Sequence, residues 1–179
     1  VKAIAVAEGL DNSGVAEAAF TFPAANINEF ITNNYKHAST ISGAVTVVAQ
    51  LGSYLFLQDE TAKIIAFGSL NKTYNNGDQL TGVKGTYNLY NGLPEMIEVT
   101  LPAAKAGAAI APRAISVADL ATAALSEYVV LNEVKFTEAL AFNATNRNAT
   151  VANENGEEAA IYNQYKFDAA WGTMTPVAI

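Results

Sequence analysis

Histidine and cysteine, two residue types on which many catalytic sites depend, are scarce in this chain. His37 is the only histidine and there is no cysteine, so nucleophiles that depend on a histidine or a thiolate have almost no place to form. His37 lies within a polar stretch, residues 33–40, which is typical of a connecting segment. The chain contains no phosphate-binding glycine loop, zinc-ligand spacing or dinucleotide fingerprint. We therefore expect a protein that is not an enzyme and that holds no cofactor.

Neighbouring carboxylates are the next groups to consider. Asp59 and Glu60 directly follow an apolar run, and Glu157 and Glu158 occupy a similar place later in the chain. Asp59 and Glu60 are weak candidates for a calcium site, because a calcium loop needs several spaced oxygen donors. An Asp in a turn more commonly accepts hydrogen bonds from its own backbone, and we favour that interpretation. No surrounding signature marks the paired carboxylates of a glycoside hydrolase.

Aromatic residues are better candidates for ligand contact. An exposed Tyr or Trp can stack on a sugar ring or a nucleic-acid base, whereas a buried one fills the barrel or closes its end. Both interpretations stay open for the aromatic residues of this chain. The candidate ligand-binding residues are Tyr87, Tyr90, Tyr165 and Trp171.

The overall composition limits the classes of partner. Hydrophobic residues make up 51% of the chain, which is enough to form a core. The net charge of −7 and the ten scattered basic residues disfavour both a phosphate backbone and an anionic membrane surface. The longest weakly polar run, residues 101–111, contains Lys105 and is too short to span a bilayer. We expect no nucleic-acid partner and no transmembrane segment.

Residues 40–101 carry the clearest strand pattern. Apolar residues mostly alternate after residue 40, and turn-forming residues such as 75–78 (NNGD) separate the later apolar runs. Gly82 and Gly85 stand inside one long run and predict bends. A five-stranded barrel of the OB-fold type suits this pattern, because closure removes exposed sheet edges. The fold class is therefore all-β with a minor α component.

A second copy of the pattern follows the first. Residues 25–31 and 115–121 each predict a short helix, with Asn26 and Ser116 as the capping residues. The predicted domains are a first OB-like barrel at 24–104 and a second at 115–179, in tandem and joined by a linker near 103–113.

The second copy has no recognisable fourth strand, and the missing part resembles residues 1–23. Residues 1–25 share the layout of residues 83–104, from an opening Val-Lys to a closing Pro-Ala-Ala. One interpretation is an excerpt from a tandem array that is cut inside two units. The other is completion of the second barrel by residues 1–23, within the chain or by strand exchange in an oligomer. We favour completion, because unpaired strand groups are costly.

Four short motifs carry a family resemblance: 41–45 (ISGAV), 54–61 (YLFLQDET), 76–78 (NGD) and 83–85 (VKG). They resemble OB-fold-like domains of gut-bacterial surface lipoproteins, although Ala62 stands where those domains usually have Gly. The second half is similar to a related domain that occurs beside the first in the same proteins. The resemblance covers most of residues 24–165. It implies an exported or lipid-anchored bacterial protein, located at the cell surface or in the periplasm, with a role in adhesion or glycan binding.

Three functional hypotheses follow. The first is a non-enzymatic binding or structural module of an exported bacterial cell-surface protein, with a glycan or another protein as its ligand. The second is a single-stranded nucleic-acid binder of the OB type, which the acidic charge disfavours. The third is a glycan hydrolase with an inconspicuous carboxylate pair.

Overall fold

The computed structural model describes residues 2–17, 22–33, 36–138 and 145–165. Most of the secondary structure is β, as predicted. The elements, in chain order, are β1 (Lys2–Ala3), β2 (Ala16–Glu17), α1 (Ile27–Asn33), β3 (Ser39–Leu51), β4 (Tyr54–Gln58), β5 (Lys63–Phe67), β6 (Gln79–Tyr90), β7 (Leu93–Thr100), β8 (Arg113–Ile115), β9 (Val129–Leu131), β10 (Lys135–Phe136), β11 (Asn148–Ala152) and β12 (Glu158–Tyr162). A short 3₁₀ helix, Leu120–Thr122, lies between β8 and β9.

Strands β3 to β7 form the predicted five-stranded barrel. The barrel closes in the order β3-β4-β5-β7-β6, with β5 and β7 parallel and the other neighbours antiparallel. This mixed arrangement is OB-like in shape. All five strands stand where the sequence pattern predicts them, although β7 begins three residues before the predicted start at Met96.

The interior of the barrel is filled by alternate side chains of its strands, as the pleat of a β-strand requires. Tyr74 enters this core from the segment between β5 and β6. The buried strand residues of the core are Ile41, Val45, Val47, Leu55, Leu57, Ile64, Ala66, Leu80, Val83 and Met96.

Helix α1 precedes the barrel and packs against its core through Ile27 and Phe30, both fully buried. The predicted capping box is present: the Glu29 N–H donates to Asn26 Oδ1 at 2.8 Å, and the Ala25 N–H donates to Glu29 Oε2 at 2.7 Å. These bonds satisfy backbone donors that a helix cannot pair internally. The helix therefore begins where the sequence predicts it.

Two glycines allow close backbone approaches in the barrel. A side chain at Gly43 would collide with the carbonyl oxygen of Ala25, which accepts the Gly43 N–H at 3.1 Å. A side chain at Gly85 would collide with Met96, where the register between β6 and β7 shifts. The predicted bend at Gly85 is thus a β-bulge over a large core residue.

The segment after β7 runs back along the barrel. Gln79 and Lys105 exchange two backbone hydrogen bonds, at 2.8 and 2.9 Å. The Ile110 N–H donates to Asn76 Oδ1 at 2.5 Å, and the Asn76 side-chain amide donates to the Ile110 carbonyl oxygen at 3.0 Å. The predicted linker is therefore fastened to the first unit by backbone and side-chain bonds.

The C-terminal half does not form the predicted second barrel in the described ranges. Strands β8 and β9 form a parallel pair, and β10, β11 and β12 form a three-stranded antiparallel sheet. The sheet repeats the β3-β4-β5 order of the first unit, but neither edge joins a further strand of the described ranges. The tandem-barrel prediction is wrong to this extent, because closure needs two more strands. In the described part of this half, the buried cluster consists of Val117, Val151 and Ala159.

The N-terminal hairpin pairs with itself. Strand β1 is antiparallel to β2, and Lys2 forms an ion pair with Glu17 at 2.7 Å. Ile4, Val6 and Val15 are exposed in this segment. No strand ladder joins the hairpin to β10, β11 or β12 in the described ranges. The division into domains at 24–104 and 115–179, and its completion by residues 1–23, stay predictions.

None of the helices in the described part of the chain has the length and apolar character that a membrane crossing needs.

Candidate functional site

An aromatic surface lies on the outside of the barrel, where β4 and β5 run side by side. Because alternate residues of both strands enter the core, the intervening residues point outward. The rings of Tyr54 and Phe67, which are paired across the two strands, lie 4.9 Å apart between centroids. The next pair along the strands is Phe56 and Ile65. We call these four residues the aromatic face: Tyr54, Phe56, Ile65 and Phe67.

Tyr165 packs onto the aromatic face from the C-terminal half of the chain. Its ring centroid lies 5.2 Å from that of Tyr54 and 5.7 Å from that of Phe56, both in edge-to-face contact. Burial raises the pKa of the Tyr165 phenol to about 12, and the nearby Tyr54 and Glu95 add to this effect. The phenol is therefore neutral near pH 7 and packs as an apolar ring with one polar end.

A cleft of about 650 Å³ opens beside these rings. Tyr54 and Tyr165 form part of its wall, and the turn between β3 and β4 forms another part. The Arg147 guanidinium lies 4.6 Å from the centre of the Tyr162 ring and donates to the Gln164 carbonyl oxygen at 3.4 Å. The cleft thus combines aromatic walls with amide, hydroxyl and guanidinium groups. Its lining residues are Gln50, Leu51, Gly52, Ser53, Tyr54, Arg147, Gln164 and Tyr165.

Glu95 is a buried carboxylate on the same side of the barrel. It precedes Met96, a core residue, so its side chain points outward, and only 6% of its surface is exposed. Its strand neighbours are Ile65 on β5 and Asn88 on β6. The Asn88 amide donates a long hydrogen bond of 3.3 Å to Glu95 Oε2. An acidic residue therefore stands next to the aromatic face.

Asp59 has a structural role that explains the QDET motif. Its Oδ2 accepts the Ile27 N–H at 2.7 Å, at the start of α1. Its Oδ1 accepts the Thr61 N–H and hydroxyl and the Ala62 N–H. Burial alone would raise the pKa of Asp59, but these bonds outweigh it and hold the pKa below its usual value. These contacts are those expected of an Asp in a turn, with one further bond to the start of α1.

Neighbouring Glu60 is exposed at the tip of the same turn. The described residues contain no cluster of three or more acidic, histidine or cysteine side chains that could hold a metal ion. The oxygens of Asp59 are occupied by hydrogen bonds within the fold, so the weak calcium candidates Asp59 and Glu60 gain no support from their geometry.

The structure separates the other predicted site residues. Tyr87 is half-buried and meets Phe30 of α1 edge-on at 6.3 Å, so it packs against the barrel core. Tyr90 is 59% exposed at the tip of the β6–β7 hairpin. His37 is exposed just before β3, and Trp171 lies outside the described residues. Of the three candidate ligand-binding residues in the described ranges, only Tyr165 lines the aromatic cleft.

The sequence interpretation missed the aromatic face and Glu95. The signal for the face is present in residues 54–57 (YLFL), because both alternating sets of side chains are apolar. A barrel strand with one face in water usually places polar residues on that face. Glu95 was missed because the predicted strand began one residue later.

Comparison of the chain with protein-family models, with curated proteins and with solved structures finds no match. The fold and the geometry of the cleft are therefore the basis for a functional proposal.

Proposed function

We propose that this chain is a non-enzymatic glycan-binding module of an exported bacterial cell-surface protein. The observation that carries the proposal is the cleft between the β3–β4 turn and residues 147, 164 and 165. Tyr54 and Tyr165 offer ring surfaces on which a sugar can stack, and Ser53 and Arg147 offer polar groups for its hydroxyls. A volume of about 650 Å³ matches the usual size of a small-molecule site.

The position of the cleft supports the proposal. OB-type barrels bind oligosaccharides and oligonucleotides on the face of their second and third strands and at the loop between the first two. Here those elements are β4, β5 and the Gly52-Ser53 turn, which are the parts of the barrel that carry the aromatic face and line the cleft. The assignment to a bacterial cell surface rests on the motif resemblance in residues 41–85.

A polypeptide ligand is the second candidate. The side chain that packs on the aromatic face is itself a tyrosine of the protein chain. A partner segment with an aromatic side chain would make the same edge-to-face contacts. A single-stranded nucleic acid is disfavoured, because Glu95 stands beside the face and the net charge is −7.

A glycan array followed by calorimetric titration of the oligosaccharides that bind tests the proposal. We expect Tyr54→Ala to weaken binding by about tenfold or more, because it removes the ring that forms the wall of the cleft. Tyr128→Ala is the matched control, since Tyr128 is an exposed tyrosine outside the cleft. An array without any bound glycan, or equal losses from both variants, would refute glycan binding at this cleft. Binding of labelled oligonucleotides at low salt would instead support the nucleic-acid alternative.

A further inference from the structure

Among the described residues that line the aromatic cleft, Arg147 is the only one that carries a charge near pH 7. The phenol of Tyr165 stays neutral there, because burial raises its pKa to about 12. Glu95 adds to that rise from beside the aromatic face, but it does not line the cleft. A chain with a net charge of −7 thus presents a positive group in this cleft.

Most donors of the Arg147 guanidinium have no partner in the described part of the chain. A guanidinium carries several N–H donors in a fixed planar fork. Nη1 of Arg147 donates to the Gln164 carbonyl oxygen at 3.4 Å, which is long for such a bond. Nε and Nη2 donate to no group of the described residues, and Arg147 belongs to neither of the two ion pairs seen there. The edge of the guanidinium that carries Nε and Nη2 is therefore available to a ligand.

The fold restricts the position of this side chain. The Arg147 carbonyl oxygen accepts the Asn163 N–H at 2.8 Å, which extends the pairing of β11 and β12 beyond Asn148 and Tyr162. The guanidinium carbon lies 4.6 Å from the centre of the Tyr162 ring, within the range of a cation–π contact. A side chain that is held before the ligand arrives loses less conformational entropy on binding.

A carboxylate is the group that the free edge of Arg147 fits. Nε and Nη2 of an arginine can donate in parallel to the two oxygens of a carboxylate, and such bidentate pairs are strong hydrogen bonds. Repulsion from the net charge of −7 is screened over about 8 Å at physiological ionic strength, whereas the pair with Arg147 acts at contact distance. One cation suits one carboxylate, whereas the closely spaced phosphates of a nucleic acid need several cations.

We propose that the glycan bound in the aromatic cleft contains an acidic sugar, such as a uronic or sialic acid, and that Arg147 binds its carboxylate. This inference rests on the proposed function, since it names the class of sugar that the cleft takes. Nε and Nη2 of Arg147 donate to the carboxylate oxygens, while the rings of Tyr54 and Tyr165 contact the apolar face of the sugar. Arg147 thereby distinguishes an acidic sugar from a neutral one and fixes its orientation.

Matched pairs of ligands test the proposal. The probes are neutral oligosaccharides that carry one glucuronic, galacturonic or sialic acid residue, and each is compared with its carboxyl methyl ester, which keeps the ring and removes the charge. In calorimetric titrations of the full chain near pH 7, we expect at least one acid to bind about tenfold or more tightly than its ester. This preference should decrease as the salt concentration rises, because added salt screens the charge pair.

Substitutions assign the preference to Arg147. Arg147→Gln should abolish the preference for the acid and leave the affinity for the ester nearly unchanged. Arg147→Lys keeps the charge but lacks the planar fork, so it should retain only part of the preference. Lys84→Gln is the matched control, because it removes one positive charge from an exposed residue of β6 that does not line the cleft. The Tm of each variant shows whether it is folded, and the salt dependence of the parent chain tests the pair without any substitution.

The possible outcomes separate this inference from the proposed function. Equal affinities for acids and esters, or binding of neutral glycans alone, would overturn the inference and leave glycan binding intact. A preference that survives in a folded Arg147→Gln variant, or that Lys84→Gln removes equally, would overturn the role of Arg147. Failure of these probes and of the whole glycan array would remove both proposals. Binding of a peptide that contains Tyr and Asp, without binding of any glycan, would do the same and favour the polypeptide ligand.

Discussion

The turn after β4 and the turn after β11 stand at equivalent places in the two halves, but they are connected differently. Asp59 accepts four hydrogen bonds, and one of them comes from the start of α1. Asn153 Oδ1 accepts only the backbone N–H groups of Asn155 and Glu157, both within its own turn. The Asp59 side chain therefore links a helix to the barrel, whereas the Asn153 oxygen accepts hydrogen bonds from within its own turn.

The same contrast extends to the cores. The first half buries the apolar side chains of five strands and a helix in one cluster, whereas the buried cluster of the second half, within the described ranges, contains three residues. A repeated sequence pattern can therefore produce similar strands and turns in both halves. Whether a barrel closes depends in addition on the number of strands that pair. The comparison predicts that the two halves respond differently to the same kinds of change.

Deletion of residues 1–23 should have the largest effect. The sequence layout predicts that this segment completes the C-terminal half, because a three-stranded sheet alone exposes two edges and an apolar face. We expect amide hydrogen exchange in β11 to lose its protection in the deleted protein, while exchange in β4 stays slow. The barrel serves as the internal control, since the deletion stops before Ala24. Unchanged protection of β11 would contradict completion by this segment.

Asp59→Ala should lower the free energy of unfolding by about 2–4 kcal/mol, because it leaves the start of α1 and the β4–β5 turn without their acceptor. Asn153→Ala should cost about 1 kcal/mol, since only one turn loses its acceptor. Urea denaturation measures both, with Glu60→Ala as the control at an exposed neighbour. Equal losses at the two turns would remove the contrast between the halves.

Tyr165→Ala should cost about 1–3 kcal/mol, because it uncovers the aromatic face of the barrel. The control is Tyr162→Ala, which removes a more exposed ring, 49% accessible, from the same half. In the Tyr165 variant alone, we also expect faster amide hydrogen exchange in β4 and β5, or easier quenching of tyrosine fluorescence there. If both tyrosines proved equally dispensable, the packing of the C-terminal half on this face would be refuted.

Asn76→Ala should cost about 1–2 kcal/mol through loss of the two bonds to Ile110. It should also accelerate cleavage by trypsin after Lys105, because the following segment is released from the barrel. Asn75→Ala, at the adjacent position, should leave the cleavage rate near that of the parent chain. A rate that stays unchanged in Asn76→Ala would show that other contacts hold the segment.

The smallest effect should come from acid. The hydrogen bonds from the Arg113 side chain and the Ala124 backbone lower the pKa of Glu127 to about 2. Because the folded pKa lies below the unfolded one, the stability that this pair provides is present above about pH 4.5 and is lost as the pH falls towards 2. The pair is on the surface, so the loss should be small. Glu127→Gln should remove the pH dependence of the amide protection factors in β8 and β9 over this range.

The five strands of the barrel and the capping box of α1 could be predicted because each depends on residues close together in sequence. The alternation along β3, the 75–78 turn and Asn26 with Glu29 are local signals. The link from Asp59 to Ile27 could not be read in the same way, since it joins residues far apart in the chain. The aromatic cleft could not be predicted for the same reason, because Tyr165 and Tyr54 are far apart in the chain and come into contact only in the folded protein.

The attachment of Asn76 to Ile110 bears on how the barrel responds to a pulling force. A free linker acts as an entropic spring, so the distance between units varies and pulling first extends the linker. Here the segment is held along the barrel wall as far as residue 110, which leaves little slack before β8. We expect a pulling force applied through this segment to load the barrel at once, with little prior extension of the segment.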